Sequence, residues 1–352
     1  MTTSPTALSN PLAGAVPSSD QAGFVEDIRP WLYHWHRQDI PTALVTLVNY
    51  EGSSPRPIGS QMVVNAHGDH VGLISGGCLE AALVDEALAC LQSDEHRLVR
   101  YGKDSDFFDI QLPCGSGIDV LITPHPEESW VRALYRSYIE RTVTQWSAQL
   151  PTRSYTVHGI PSESRISGTT QKSRQLSRPD VSTSLLGFSK TYQPRPRIVA
   201  MGGGAIFDCF VDMARLFDLD LIAVSPTYTC HQEPVASGAC RLTRVPLRSP
   251  GNVDPHWLDR WSAFLSLSHD HDWETTILQR VLETDAFHIA ALGSRRTQAR
   301  RLELLRAEGV ADVQLARIKG PAGLDLGGHS PPEIALAILA EVVSTGNGKR
   351  SA

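Results

Sequence analysis

Cys78 follows two glycines in Ser75-Gly76-Gly77-Cys78-Leu79-Glu80, between the apolar run Val71 to Ile74 and a helical pattern that begins at Leu79. A strand that turns into a helix through Ser-Gly-Gly leaves backbone N–H groups at the helix start, where a phosphate or another anion can be held. A thiol in that first turn lies at the positive end of the helix dipole, which favours the thiolate and suits a nucleophile or a soft ligand. Glycine pairs also occur at such turns for steric reasons, and cysteine is often a small buried hydrophobe, so the spacing alone leaves both readings open. A second cysteine, Cys114, precedes Gly115-Ser116-Gly117, and the two thiols can face one cavity. Upstream, Gly52-Ser53-Ser54-Pro55-Arg56-Pro57-Ile58-Gly59 holds Arg56 between two prolines that fix φ. A cation on so stiff a tether can grip a phosphate or a carboxylate.

A different chemistry is expected after Pro196. The apolar run Arg197 to Met201 leads into Gly202-Gly203-Gly204, then a helical pattern to Phe217 and a second strand, Leu219 to Val224. This is the βαβ opening of a nucleotide-binding Rossmann unit. Two positions depart from the fingerprint: Phe207 stands at the third glycine, and Ser225-Pro226 replaces the acid that binds a ribose diol. The turn can cradle a phosphate, but an ordinary NAD(P) site is not expected. Ser294 can cap a helix from Arg295 to Glu308, placing Arg295 and Arg296 at the carboxyl end of a strand, where α/β sheets bind ligands. The run Ser268-His269-Asp270-His271-Asp272 offers metal-ligand types, but alternating residues of one loop seldom converge on one ion, and a helix cap explains its start.

The elements that must carry these groups fall into two α/β parts. Helical spacing is expected over Phe24 to Arg37, from Leu79 to Leu91 and from Pro126 to Leu150. Thr42 to Tyr50, Met62 to Asn65, Val71 to Ile74, His96 to Tyr101 and Ile118 to Thr123 read as strands. The domain reading is a disordered tail over 1–23, an N-terminal α/β domain over 24–150, a linker over 151–193, a Rossmann-like parallel-sheet domain over 194–346 and a short tail over 347–352. The linker is rich in Ser and Thr and contains room for a strand pair. Six basic residues, Arg153, Arg165, Lys172, Arg174, Arg178 and Lys190, against Glu163 and Asp180 give it a charge of +4.

With 352 residues the chain can bury two cores, and 41% hydrophobic with 20% charged residues is a globular composition. The net charge of −6 provides no global field for nucleic acid or an anionic membrane. No apolar run approaches the roughly 20 residues that span a bilayer. Six scattered cysteines without a C-x-x-C pair argue against a disulfide framework or a structural zinc site and fit a reducing cytoplasm.

Taken together, Gly-Ser-Ser-Pro-Arg-Pro-x-Gly at 52–59, Ser-Gly-Gly-Cys-x-Glu at 75–80, Ser-His-Asp at 268–270, Leu-Gly-Ser-Arg-Arg-Thr at 292–297 and Gly-Pro-x-Gly-Leu-Asp-Leu-Gly-Gly at 320–328 closely resemble the XdhC/CoxI family. The resemblance runs from about residue 25 to 345, outside the linker. It implies an accessory factor that binds the molybdenum cofactor, as molybdopterin or its dinucleotide form, and protects it while a cysteine desulfurase installs the terminal sulfido ligand. The factor then delivers the cofactor to a molybdenum hydroxylase such as xanthine dehydrogenase or an aldehyde oxidoreductase, without turnover of its own; a homodimer is the family expectation. The implied cofactor-binding residues are Arg56, Ser75, Gly76, Gly77, Cys78, Glu80, Cys114, Gly115, Gly202, Gly203, Gly204, Ser294 and Arg295, with Cys78 and Cys114 nearest the metal. Two competing functions are a nucleotide-dependent oxidoreductase or cofactor-modifying transferase using Cys78, and a scaffold that joins desulfurase and client.

Overall fold

The structure, a computed structural model, describes residues 25–105, 117–149, 154–159, 181–184, 187–237, 240–268 and 273–347. These form two compact units, the first ending at Pro194 and the second beginning at Arg195.

The first unit opens with α1 (Arg29–His36), which carries Pro30 in its first turn, where the missing N–H removes no helix hydrogen bond. There follow β1 (Thr42–Glu51), β2 (Gln61–Asn65), β3 (His70–Gly72), α2 (Glu80–Ser93), β4 (Arg97–Gly102) and β5 (Gly117–Pro124). The five strands pair antiparallel in the order β3-β2-β1-β5-β4. Ala43, Val45 and Leu47 of β1 and Val120 and Ile122 of β5 line one face of that sheet, and Leu83, Ala87 and Cys90 of α2 pack on it. Cys90 is fully buried, and burial pushes its thiol above the ordinary range, so it fills space and stays unreactive.

Beyond residue 126 the structure differs from the sequence reading. The helix expected to reach Leu150 stops early: α3 (Glu128–Ile139) buries Trp130, Leu134 and Tyr138, Arg141 takes a left-handed φ of 53°, and the chain reverses into β6 (Thr144–Gln149). With β7 (Ser154–Gly159), β8 (Val181–Ser184) and β9 (Gly187–Tyr192) it makes a four-stranded antiparallel sheet, ordered β7-β6-β9-β8. The described part of the expected linker is therefore largely strand, two of its strands pairing with β6. What holds it is aromatic: Trp146 and Phe188 are buried, with ring centroids 5.7 Å apart across the β6–β9 pair. Such an edge-on contact adds about 0.5–1.5 kcal/mol beyond the area it buries.

The second unit contains β10 (Arg197–Gly202), α4 (Ala205–Ala214), β11 (Asp220–Ser225), β12 (Gln232–Ser237), β13 (Cys240–Pro246), β14 (Ser262–Leu267), α5 (Glu274–Leu282), β15 (His288–Ala291), α6 (Arg295–Ala307), α7 (Asp312–Leu315), β16 (Ile318–Lys319) and α8 (Pro331–Asn347). Its sheet runs β12-β13-β11-β10-β14-β15-β16; the six strands from β13 to β16 are parallel and β12 adds an antiparallel edge. Alternation along β10 explains the layering. Ile198 and Ala200 face α4 and α8, through Phe207, Phe210, Ile338 and Leu339. Val199 and Met201 face the other way, into a core with Ile277, Leu278 and Val281 of α5 and Leu305 of α6. This is the Rossmann-like parallel sheet expected after residue 194, with β12, β13 and β16 added to the strands read from sequence. Among the described residues no helix is long and apolar enough to cross a membrane.

Candidate functional site

The turn between β3 and α2 brings Ser75, Gly76, Gly77, Cys78 and Glu80 together, but the backbone N–H groups expected to hold an external anion already hold one. Glu80 reaches back and its carboxylate accepts from Ile74 N (3.1 Å), Ser75 N (2.8 Å), Gly77 N (2.8 Å), Leu79 N (3.2 Å) and Ser75 Oγ (2.6 Å). Ser75 Oγ in turn accepts from Leu79 N at 2.9 Å. Burial opposes ionisation of Glu80, yet the hydrogen bonds from Ser75 and the backbone together outweigh it and hold the carboxyl below its usual range. Gly76 and Gly77 have φ of 89° and 115°, a left-handed path that only glycine follows without strain.

Cys78 is exposed, and its Sγ lies 4.0 Å from the Ser75 carbonyl oxygen. The helix starts at Glu80, two residues later, so the thiol lies just outside the first turn instead of within it. Gly76 N–H and Cys78 N–H meet no acceptor among the described residues. The turn thus presents one thiol and two backbone donors, held rigidly by the carboxylate beneath. Cys114 and Gly115 lie outside the described residues. Arg56 is engaged elsewhere: its Nη2 donates to Glu26 at 3.0 Å, and its side chain is largely covered.

In the second unit the strand order reverses between β10 and β14, and α/β sheets bind ligands at the carboxyl ends of the strands flanking such a point. Gly202 is required there because a Cβ on it would stand 2.5 Å from the Leu267 carbonyl oxygen of β14. Gly204 has φ of 82° and open space around it, and after it the N–H groups of Ala205, Ile206 and Phe207 donate to no acceptor among the described residues. The Gly202, Gly203, Gly204 turn therefore keeps the anion-receptive helix start that the first unit has filled. Phe207, at the third glycine of the fingerprint, is fully buried with its ring centroid 6.3 Å from that of Tyr228. Ser225 is also fully buried, its Oγ 2.8 Å from Thr227 Oγ1, so β11 ends in a hydroxyl that shapes the turn and not in a carboxylate for a ribose. A Gly202→Ala variant is expected to lose about 1–3 kcal/mol of stability through this close approach, read as a lowered urea midpoint of the full chain.

At the end of β15, Ser294 caps α6 by accepting from Thr297 N at 3.1 Å, as expected. Arg295 and Arg296 are exposed and form no ion pair among the described residues. Beneath them lies a buried network that sequence reasoning missed. Arg301 binds Glu274 with both arms, Nε to Oε2 at 3.0 Å and Nη2 to Oε1 at 3.1 Å. It also donates to Gln298 Oε1 (2.5 Å) and the Leu292 carbonyl (2.8 Å), while Ser266 Oγ donates to Glu274 Oε1 (2.6 Å). Gln298 continues the network to the Ile318 carbonyl at 3.1 Å, and a Cβ on Gly320 would strike its Oε1 at 2.1 Å. One ionic cluster thus sets the carboxyl ends of β14, β15 and β16. The only sequence signal was an arginine and a glutamine on the apolar side of a helix. His269 to Asp272 lie outside the described residues, and no metal-holding group of His, Cys, Asp or Glu occurs among the described ones.

Residues 35–102 match the XdhC and CoxI family, and residues 198–342 match the XdhC Rossmann domain. The chain belongs to the XdhC/CoxI family. Among relatives of this family, it is 29% identical to the molybdenum cofactor insertion chaperone PaoD of Escherichia coli K12, over 86% of this chain and 82% of PaoD. It is 22% identical to a protein of Bacillus subtilis 168 described as a probable xanthine dehydrogenase component, over 86% of this chain and 92% of that protein. A crystal structure described as a xanthine dehydrogenase from Bacillus halodurans superposes with a TM-score of 0.65 at 21% identity, covering 92% of this chain and 97% of that one. That likeness concerns the fold.

Proposed function

We propose that this protein is a maturation factor for a molybdenum hydroxylase of the xanthine dehydrogenase or aldehyde oxidoreductase type. In this reading it binds the molybdenum cofactor as cargo, shields it while a cysteine desulfurase supplies the terminal sulfido ligand, and passes it to its client. The observation that carries the reading is the similarity to PaoD over most of both chains, together with an exposed thiol on the rigid Ser75 to Glu80 turn. A thiolate is a fitting neighbour for molybdenum, and the Gly76 and Cys78 N–H groups beside it, which meet no acceptor among the described residues, can receive an oxo, sulfido or phosphate acceptor. Cys114 and Gly115 are assigned to the metal end with Cys78, and Arg56 to an anionic group of the cargo once Glu26 yields it. In the second unit, the Gly202 to Gly204 turn, Ser294 and Arg295 are assigned to the phosphate or nucleotide end. Glu80 is reassigned from a contact of the cargo to the support of the turn.

The test is metal and pterin analysis of the full chain purified after co-expression with cofactor biosynthesis. Molybdenum and pterin in equal amounts are expected. Bound nicotinamide, or neither metal nor pterin, would overturn the reading. Cys78→Ala is expected to fold normally yet activate a molybdenum hydroxylase about tenfold less, the scale on which loss of an outer contact weakens a metal site. Unchanged activation and molybdenum content in Cys78→Ala with Cys114→Ala would remove the cysteines from the assignment.

A further inference from the structure

Two arginines meet at the end of β11, where the acid for a ribose diol is missing. The Ser225 carbonyl accepts from Tyr228 N at 3.3 Å and from Leu247 N at 2.9 Å, so the chain leaving β11 and the chain leaving β13 close on one strand end. Gly203 of the glycine turn touches the same place: a Cβ on it would stand 3.6 Å from Ser225 Oγ and 3.9 Å from Pro226 Cδ. Arg248 follows Leu247 and donates through Nη2 to the Tyr228 carbonyl at 3.1 Å. Arg244 arrives from within β13. Side chains alternate along a strand, so Arg244 continues the row of Cys240 and Leu242, which pack on the α4 side of the sheet. Its guanidinium lies over the Tyr228 ring, 5.9 Å from the centroid. That ring packs on the same core and against Phe207 in the first turn of α4. One half-buried tyrosine thus gathers two guanidinium groups beside the glycine turn, one at its ring and one at its carbonyl.

Neither guanidinium is neutralised. Arg244 donates to the amide oxygen of Gln232 at 3.2 Å and Arg248 to a carbonyl, and no carboxylate binds either among the described residues. The exposed acids of α4 do not supply one: Asp212 lies 3.6 Å from Arg215, and Asp208 bonds to neither arginine. Arg248 is exposed and Arg244 half-buried, so a ligand can reach both. At this position of a dinucleotide-binding sheet a carboxylate grips a ribose diol and repels any phosphate placed on it, whereas a nearby arginine accommodates that phosphate. Here Ser225, Pro226 and Thr227 are neutral, and the charge at the strand end is positive.

We infer that Arg244 and Arg248 form a subsite for a phosphate carried on the ribose, at its 2′ or 3′ position, of a nucleotide whose 5′-phosphate lies on the Gly202 to Gly204 turn. Two planar guanidinium groups grip such a dianion with geometry that a plain ribose does not use. This ligand is additional to the cargo. It shares only the glycine turn with the cargo's phosphate, so the two exclude each other there.

Calorimetric titration of the full chain with adenosine 2′,5′-bisphosphate, adenosine 3′,5′-bisphosphate and adenosine 5′-monophosphate reads the subsite directly. One bisphosphate is expected to bind about tenfold or more tighter than the monophosphate, the scale of hydrogen bonds to a charged group, and the isomer that gains fixes the position of the phosphate. Arg248→Gln, a change of an exposed side chain, is expected to remove most of that gain and leave the monophosphate unchanged. Arg244→Gln with Arg248→Gln is expected to remove all of it, with circular dichroism checking that the sheet is intact. Absence of nucleotide binding, equal affinity for the three nucleotides, or a gain that survives in Arg248→Gln and in the double variant would overturn the inference. No molybdenum or pterin enters the titration, so its failure leaves the cargo reading standing, and failure of the metal and pterin assay leaves this subsite standing.

Discussion

Glu274→Ala is expected to lower the unfolding free energy by about 3–5 kcal/mol, the cost of leaving a buried cation without its partner. Arg301 has 3% of its surface exposed and Glu274 2%, so water cannot replace what the substitution removes. Four elements lose their common anchor at once: Ser266 at the end of β14, Glu274 on α5, Gln298 and Arg301 on α6, and through them Leu292 at the end of β15. The double variant Glu274→Leu with Arg301→Met removes both charges together and is expected to recover most of the loss, because a well-packed apolar pair is often as stable as a buried ion pair. Urea unfolding followed by circular dichroism checks both. A single substitution costing under about 1 kcal/mol, the scale of an exposed pair, would show that the pair is reached by water in solution.

Glu80→Ala is expected to cost about 2–4 kcal/mol, since several buried donors lose a charged acceptor together. Ile74, Ser75 and Leu79 are buried, so their N–H groups cannot all turn to water. Glu80→Gln retains one acceptor oxygen but aims an NH2 at remaining donors, and is expected to recover less than half of the loss. The pH dependence has a definite sign. The Glu80 carboxyl is held below its usual range in the folded chain, so its contribution is fully present above the unfolded value of about 4.3 and is lost as pH falls through the lower folded value. Urea midpoints measured from pH 7 to pH 3 should therefore fall more steeply in the wild type than in Glu80→Gln. If the two curves run parallel, the carboxylate does not ionise differently in the fold, and its place as the internal anion of the turn is wrong. On the proposed function, loss of this support should also lower molybdenum content through misplacement of Cys78.

The βαβ start of the second unit was readable from residues alone because every signal there is local. Ile198 to Met201 is an uninterrupted apolar run, the glycines follow at once, and Phe207, Phe210, Val211 and Ala214 recur at helical spacing. The same holds for α2, whose Leu83, Ala87 and Cys90 are buried where the pattern placed them. The sheet of β6 to β9 was not readable in this way. Its strands are short, rich in Ser and Thr, and carry few aromatic residues, and those residues become a core only when Trp146 meets Phe188 from 42 residues away. Lys190, counted among the charges of the linker, belongs to that sheet and donates to Gln61.

The motif residues illustrate the same division within a single turn. Residue types and spacing by themselves determined that a glycine-lined turn with a cysteine precedes α2, that a second glycine turn opens a Rossmann-like sheet, and that the chain is of the XdhC/CoxI kind. Only the tertiary structure decided how much of each turn is still open to an anion. A carboxylate six residues from Ile74 folds back to take most of the donors of the first turn and leaves the Gly76 and Cys78 N–H groups, whereas no acceptor takes the N–H groups of Ala205, Ile206 and Phe207 in the second among the described residues. It likewise decided that Arg56 spends its charge on Glu26 and that Arg301 belongs to Glu274 and not to solvent. The physical reason is that backbone conformation is set by neighbours in sequence, while the partner of a charge is set by whatever distant side chain packing brings within about 3 Å of it.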